Sequence, residues 1–277
     1  MAPIYHRLDG VHDLFGVEAL RYDAAYGVIH SGGGVEMGVF DLTGQRILVT
    51  GAAGGIGGAV VRLGVAQGAE VVASDREMPG ELVESLRAEG GAVDGVAMDV
   101  ADRRAVESTV ADMGKLDGLI DCAAVCPFDD WEADEWDESM ARVFAINMAG
   151  PVNLTRAVMK RMRAEGGGRI ALVGSVAGRI GGVRASPHYV LSKGGIHSFV
   201  RWAAKQGAPN GIRTNAVAPG PVATPMTAGQ AFDDRALPFG RMASAEEIAG
   251  PLVFLVSEAA SYINGAVLDI NGGMHFS

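Results

Sequence analysis

The stretch that decides the fold is residues 46–57, which read RILVTGAAGGIG. Its apolar run, Ile47 to Val49, is typical of a buried parallel strand, and the glycines after it permit a tight turn. A helical pattern follows over Ala59 to Ala66. Because backbone N–H groups and the positive helix end then face the same point, this strand, turn and helix predict a site for a pyrophosphate.

The next strand carries information about the ligand. It covers Glu70 to Ser74 and is followed at once by Asp75. A carboxylate at this place accepts hydrogen bonds from both ribose hydroxyls of an adenosine and repels a 2′-phosphate. The sequence therefore predicts NAD rather than NADP as the cofactor.

Short apolar strands alternate with longer amphipathic segments along the rest of the chain. This alternation predicts an α/β fold with one doubly wound parallel sheet of about seven strands and helices on both faces. Ligands bind beyond the carboxyl ends of such strands, where Asp75, Asp99, Ser175 and Pro219 fall. The predicted strands are 46–50, 70–74, 94–98, 118–122, 169–174, 212–217 and 266–270.

Tyr189 and Lys193 form a Tyr-x-x-x-Lys motif within a helical segment. Residues four apart share a helix face, so the ammonium of Lys193 is expected beside the phenol of Tyr189, where it favours the ionised form. A phenol ordinarily titrates near pH 10, so it needs such help before it exchanges protons near neutral pH.

From about Asp41 to the C-terminus, the chain resembles the short-chain dehydrogenase/reductase family. The resemblance rests on motifs that occur in family order: the glycine turn, Asp75, Asp99-Val100, Asn147, Ser175, Tyr189 with Lys193, and Pro219-Gly220 with Thr224. It implies a Rossmann-type fold and hydride transfer between NAD and a small secondary alcohol or ketone. It also implies a closed homo-oligomer, with a tetramer favoured.

The resemblance assigns four catalytic residues. Tyr189 is the general acid and base, and Ser175 binds the reacting oxygen. Lys193 holds the phenolate and contacts the nicotinamide ribose, and Asn147 holds a water behind it. The implied cofactor contacts are Gly51, Gly55, Ile56 and Gly57 at the pyrophosphate, Asp75 at the ribose, Asp99 and Val100 at the adenine, Tyr189 and Lys193 at the nicotinamide ribose, and Val222 and Thr224 at the carboxamide and phosphates.

Two segments depart from the family pattern. Asp121-Cys122-Ala123-Ala124 stands where Asn-Asn-Ala-Gly is common, and 225–238 is short for a substrate lid.

The residues expected to line the substrate site are mainly apolar and predict an uncharged substrate, cyclic or aromatic. Arg179 and Arg184 leave an acidic substrate as an alternative. The expected lining residues are Val125 to Trp131, Val176 to Gly182, His188, Met226 and Phe232.

Three other functions stay open from the sequence. A 3-oxoacyl thioester reductase would share every catalytic residue, but Asp75 and the absence of a basic side chain at Gly54 argue against an NADP-driven reduction. A non-redox relative would not need the cofactor glycines. A protein that only senses NAD would not need Ser175, Tyr189 and Lys193 together.

Composition limits the partners. The 277 residues are 48% hydrophobic and carry a net charge of −10, which argues against nucleic acid and anionic membranes. No apolar run approaches the roughly 18 residues that a membrane span needs. The two cysteines, Cys122 and Cys126, are expected to be reduced and buried. The cytoplasm is the predicted location.

The sequence predicts an N-terminal extension, residues 1–40, before a catalytic domain, residues 41–277, with Gly32 to Gly34 near the boundary. The extension carries three of the five tyrosines, so we expect it to pack on the enzyme or on a neighbouring subunit. Acidic residues interrupt its apolar runs, which argues against a signal peptide. Its three histidines, His6, His12 and His30, do not have the spacing of a metal site.

Overall fold

The computed structural model describes residues 40–182, 184–230 and 233–277, and the backbone of three short strands before them. These strands are β1 (Tyr5–Arg7), β2 (Arg21–Asp23) and β3 (Val28–His30), and they pair antiparallel in that order. The sequence did not predict them. The predicted packing of the extension lies outside the described residues.

Seven parallel strands form the central sheet, which confirms the predicted fold class. They pair in the order β10-β9-β8-β7-β4-β5-β6. Each predicted strand end lies within two residues of the observed one. The strands are β4 (Arg46–Thr50), β5 (Glu70–Asp75), β6 (Val93–Ala97), β7 (Gly118–Asp121), β8 (Gly168–Val173), β9 (Ile212–Pro219) and β10 (Val267–Ile270).

Helices cover both faces of this sheet. They are α1 (Gly55–Ala66), α2 (Gly80–Ala88), α3 (Arg103–Asp112), α4 (Trp136–Phe144), α5 (Gly150–Glu165), α6 (Ala177–Ile180), α7 (Pro187–Gly207) and α8 (Ala245–Val256). Side chains alternate across the sheet, so Ile47 and Val49 join the core under α1 and α8, whereas Leu48 joins the core under α3, α5 and α7. The central strands are therefore buried on both sides.

The strand order reverses between β4 and β7, which are neighbours in the sheet although β5 and β6 lie between them in the sequence. Loops leaving the two strands turn to opposite faces at such a switch point and open a crevice beyond the carboxyl ends. The glycine-rich turn after β4 and the loop after β7 border this crevice. The fold therefore places the predicted site residues around one opening.

A π-helical turn, Ala145–Ala149, connects α4 to α5 in one continuous helix. The wider turn directs Asn147 inward, and its side chain is almost fully buried. The sequence motif indicated Asn147 but not this change of helical pitch.

None of the described helices is both long enough and apolar enough to cross a lipid bilayer.

Candidate active site

A groove of about 700 Å³ crosses the carboxyl ends of β4, β5 and β6. Most of the predicted cofactor residues border it, from the glycine-rich turn at one side to Thr224 at the other. They are Gly51, Gly55, Ile56, Asp75, Asp99, Val100 and Thr224. A single elongated opening therefore joins residues that lie far apart in the sequence.

The glycine-rich turn has the geometry that a pyrophosphate requires. Gly51 has a φ of +68°, in the left-handed region that favours glycine. A Cβ at Gly55 would lie 2.6 Å from Thr224 Cγ2, and one at Gly57 would lie 2.0 Å from the Gly51 carbonyl oxygen. Helix α1 begins here without a side-chain cap or an acidic residue in its first turn. Its first N–H groups are thus available to an anion.

Asp75 connects the end of β5 to this turn. Its Oδ2 accepts a hydrogen bond from the Ala53 backbone N–H at 3.0 Å, and its Oδ1 accepts one from the Arg76 N–H at 2.7 Å. Arg76 and Glu77 border the groove beside it. Sequence reasoning did not consider Arg76, which places a cation next to the carboxylate expected to bind ribose.

A second cavity of about 400 Å³ adjoins the groove. Its lining includes Ser175, Tyr189 and Lys193, the three residues predicted for proton transfer. The two openings share part of their walls, formed by Ile56, Cys122, Ala124, Thr224 and Met226. A molecule in the groove and one in the cavity would therefore meet along this shared wall.

Tyr189 and Lys193 lie together on α7, as predicted. The Lys193 Nζ is 5.7 Å from the centre of the Tyr189 ring and donates a hydrogen bond to the Val173 carbonyl at 2.8 Å. The predicted lowering of the phenol pKa is wrong for this structure. Burial raises the Tyr189 pKa above its ordinary value, and the hydrogen bond to Ser175 lowers it by less.

Asn147 lies behind these residues and lines neither cavity. Its Oδ1 accepts from the Val125 N–H at 2.9 Å, and its Nδ2 donates to the Val125 carbonyl at 2.8 Å. The same Nδ2 contacts the Ser192 hydroxyl oxygen at 3.3 Å. The amide thus connects the loop after β7 to α7, and its predicted hold on a water stays a prediction.

Besides Tyr189 and Lys193, which line the second cavity, two of the predicted cofactor residues lie away from the groove. Gly57 is buried within α1, where the absence of a Cβ lets the helix approach the turn. Val222 lines the second cavity instead. Both positions follow from close packing that a linear motif does not reveal.

The substrate-lining prediction is partly confirmed. Cys126, Phe128 and Met226 line the cavity, as do Val176, Ala177, Ile180 and Gly182. Trp131 is exposed and His188 is fully buried against Trp136, so neither lines it. Phe232 lies outside the described residues. Ala185 and Met274 also line the cavity, and no sequence motif marked them. Ala236 and Leu237 line it from within segment 225–238, of which only Met226 and Phe232 were expected to do so.

The loop after β7, where the sequence departs from the family pattern, is held by hydrogen bonds to Asp121. Asp121 Oδ1 accepts from the Thr50 hydroxyl at 2.6 Å and from the Ala123 N–H at 3.1 Å. Thr50 and Asp121 are partners in the β4–β7 register, so the carboxylate still connects the two strands. Cys122 and Cys126 are free thiols that are partly rather than fully buried.

A family model described as enoyl-(acyl carrier protein) reductase matches residues 51–275. The chain belongs to the short-chain dehydrogenase/reductase family. It is therefore an oxidoreductase of the kind that acts on CH–OH groups, as its sequence predicted.

Three relatives show how much of the chain the similarity covers. The 3-oxoacyl-[acyl-carrier-protein] reductase of Salmonella typhimurium is 35% identical over 84% of this chain and 98% of its own length. The cis-4-hydroxycyclohexanecarboxylate dehydrogenase of Sinomonas cyclohexanicum is 37% identical over 82% and 94%. A putative 2-deoxy-D-gluconate 3-dehydrogenase of Agrobacterium tumefaciens, solved with NADP, superposes with a TM-score of 0.78 at 34% identity over 84% and 97%.

Proposed function

We propose that this protein is an NAD(H)-dependent dehydrogenase that interconverts a small secondary alcohol and its ketone. One observation carries the proposal: the groove bordered by Asp75 runs into a cavity lined by Ser175, Tyr189 and Lys193. A cofactor site and a proton-transfer site are thus adjacent. A protein that only sensed the dinucleotide would not need the proton-transfer site.

In the proposed mechanism, the nicotinamide cofactor supplies the hydride acceptor or donor. Tyr189 takes the hydroxyl proton of the alcohol during oxidation and returns it to the ketone oxygen during reduction. The Ser175 hydroxyl donates a hydrogen bond to that oxygen as negative charge develops on it. Lys193 holds positive charge beside the phenol, and Asn147 positions the neighbouring loop through Val125.

NAD is proposed over NADP because the Asp75 carboxylate would repel a 2′-phosphate. Arg76 acts in the opposite direction, since its guanidinium would attract that group. Asp75 is held by two backbone N–H donors, which fix the carboxylate at the end of β5. We therefore expect repulsion to dominate, although the Agrobacterium relative was solved with NADP.

The proposed substrate is a compact, largely apolar cyclic alcohol. Phe128, Ile180, Leu237 and Met274 supply apolar walls to the cavity, and Arg184 also contributes to its lining. The Sinomonas relative is named for a ring that carries one hydroxyl and one carboxylate. A ring alcohol with a single acidic substituent is therefore a second candidate substrate, besides the uncharged ring alcohol predicted from the sequence.

A panel of alcohols and ketones, assayed with NAD(H) and NADP(H) by nicotinamide absorbance, tests the proposal. Turnover of cyclohexanols in preference to linear alcohols, with NAD favoured, would support it. A 3-oxoacyl thioester reduced faster than any simple ketone would favour the alternative activity. No turnover of any alcohol, ketone or thioester would contradict the proposal.

We further propose that the enzyme works in the cytoplasm as a homo-oligomer, most simply a tetramer with D₂ symmetry. Exposed apolar side chains on neighbouring helices support this assembly: Met148 and Val152 near the start of α5, and Leu191 and Trp202 on α7.

Residues 1–40 are proposed as an extension to the catalytic domain of residues 41–277. Deleting residues 1–38 should lower the melting temperature or change KM while NAD affinity is unchanged.

A further inference from the structure

The backbone N–H of Ser175 lies where β8 has lost one of its neighbouring strands. β7 pairs with β8 only as far as Asp121, whose register partner is Leu172. On the other side β9 continues, and its carbonyls accept hydrogen bonds from the N–H groups of Gly174 and Val176. The Ser175 N–H between them has no strand partner among the described residues, so it requires an acceptor from another element.

Helix α7 supplies that acceptor. Its residues Tyr189, Lys193 and His197 are spaced four apart and share one face of the helix. The Lys193 Nζ donates to the Val173 carbonyl at 2.8 Å, and the His197 Nε2 accepts from the Ser175 N–H at 3.5 Å. The face that carries the proposed proton-transfer pair therefore continues for one more turn, and its third residue contacts the backbone of Ser175.

The imidazole of His197 is closely confined. Its relative exposure is 4%, and a Cβ at Gly174 would lie 2.4 Å from Nε2. The glycine therefore lets the ring approach the end of β8. Because 3.5 Å is long for a hydrogen bond from an N–H group, the contact depends on the ring being held in this position.

The charged groups around His197 favour its neutral form. Burial lowers the pKa of His197 to about 4, and the guanidinium groups of Arg179 and Arg201 contribute to the shift. Asp269 opposes it, but this carboxylate is paired with Arg179 at 3.4 Å, and Lys193 lowers the pKa further. An imidazole nitrogen accepts a hydrogen bond only when it carries no proton. Nε2 thus remains an acceptor near neutral pH.

The other backbone and hydroxyl contacts of Ser175 include two local ones. Its Oγ accepts from the Ala177 N–H at 3.1 Å, and its carbonyl accepts from the Gly178 N–H at 3.0 Å. An Oγ that accepts in this way keeps its own proton for another acceptor. Among the described residues, the contact with His197 is the backbone hydrogen bond that joins Ser175 to α7.

We propose that His197 is a positioning residue for Ser175, whose backbone it fixes against α7 so that the serine hydroxyl meets the substrate oxygen beside Tyr189. His197 lines neither the groove nor the adjoining cavity, so it acts through Ser175. The activity readout of this inference rests on the proposed dehydrogenase function, but the spectroscopic readout does not.

The first test is a double-mutant cycle on kcat with His197→Leu and Ser175→Ala. His197→Leu removes the acceptor but keeps a buried side chain of similar size. The change should lower kcat by about tenfold, less than the hundredfold typical when a donor to the developing charge is itself removed. In the Ser175→Ala background it should lower kcat by less than about twofold, because the hydroxyl that it positions is absent. Effects that multiply in the double variant would overturn the inference.

Two further variants separate positioning from stability. In His197→Gln the amide oxygen can accept at the place of Nε2, so this variant should recover most of the lost kcat. Val200→Ala is the matched control, because Val200 is fully buried on the same helix, and it should lower the melting temperature without lowering kcat. Equal losses of kcat in the Leu and Gln variants, or an equal loss in Val200→Ala, would contradict the positioning role.

Nitrogen NMR of histidine-labelled protein tests the contact without any substrate. The signal of His197 is identified by its absence in His197→Leu. We expect an unprotonated Nε2 that does not titrate from about pH 5 to pH 8, as a pKa of about 4 requires. A proton on Nε2, or titration near the ordinary value of 6.5, would overturn the inference. An unprotonated Nε2 in a protein that turns over no alcohol or ketone would confirm the contact and contradict the dehydrogenase function instead.

Discussion

The Lys193 Nζ lies 5.7 Å from the centre of the Tyr189 ring and points to the Val173 carbonyl, not to the phenol oxygen. The four-residue spacing on α7 thus brings the two side chains together without making a direct hydrogen bond between them. Proton transfer at Tyr189 consequently depends on the electrostatics of the whole site.

Tyr189→Phe should retain NAD binding while kcat falls by about a hundredfold or more, as is typical when a general acid or base is lost. Cofactor affinity is measured by NADH fluorescence and kcat by absorbance. Turnover within about tenfold of wild type would exclude Tyr189 as the proton-transfer residue.

The raised pKa of Tyr189 predicts that reduction and oxidation depend differently on pH. Reduction uses the protonated phenol, which persists through neutral pH, so its rate should be nearly constant from pH 6 to pH 8. Oxidation needs the ionised phenol, so its rate should rise as the pH increases toward the Tyr189 pKa. Oxidation that is fastest below pH 7 would contradict this order.

Asp75→Ala should narrow the preference for NAD over NADP, because it removes the repulsion of the 2′-phosphate. Arg76→Ala is the complementary variant and should widen that preference. The measurement is kcat/KM for both cofactors with one alcohol. Equal values in the wild type would refute the assignment of Asp75.

Gly57→Ala should strongly reduce both the melting temperature and NAD affinity, since its Cβ would lie 2.0 Å from the Gly51 carbonyl oxygen. Gly58→Ala is the control in the same helix, because its Cβ would lie 3.4 Å from the Ala52 carbonyl oxygen. Similar behaviour of the two variants would show that the turn tolerates the added atom.

The exposed apolar side chains on α7 predict that subunits associate through this helix. Acidic substitutions there should disrupt the association. Trp202, which stacks on Phe199 with ring centres 6.0 Å apart, has 59% exposure. Leu191→Glu combined with Trp202→Glu should give smaller particles by light scattering, with the secondary structure retained. A wild-type monomer at micromolar concentration would refute the oligomer itself.

Local patterns in the sequence were sufficient for the sheet and for much of the site. A continuous apolar run such as Ile47 to Val49 is suited to a strand buried on both faces, and Gly51 is suited to a positive φ. Tyr189 and Lys193 were placed together because helical spacing alone determines a shared face. These features depend on neighbours in the sequence.

Tertiary structure decided the properties that depend on residues distant in the chain. The Tyr189 pKa is set by burial among several elements, and Met274 reaches the cavity only because the chain returns there after β10. The same holds for Asp121, which accepts a hydrogen bond from Thr50 on another strand. Burial and long-range pairing arise only when separate segments pack together, so sequence spacing does not encode them.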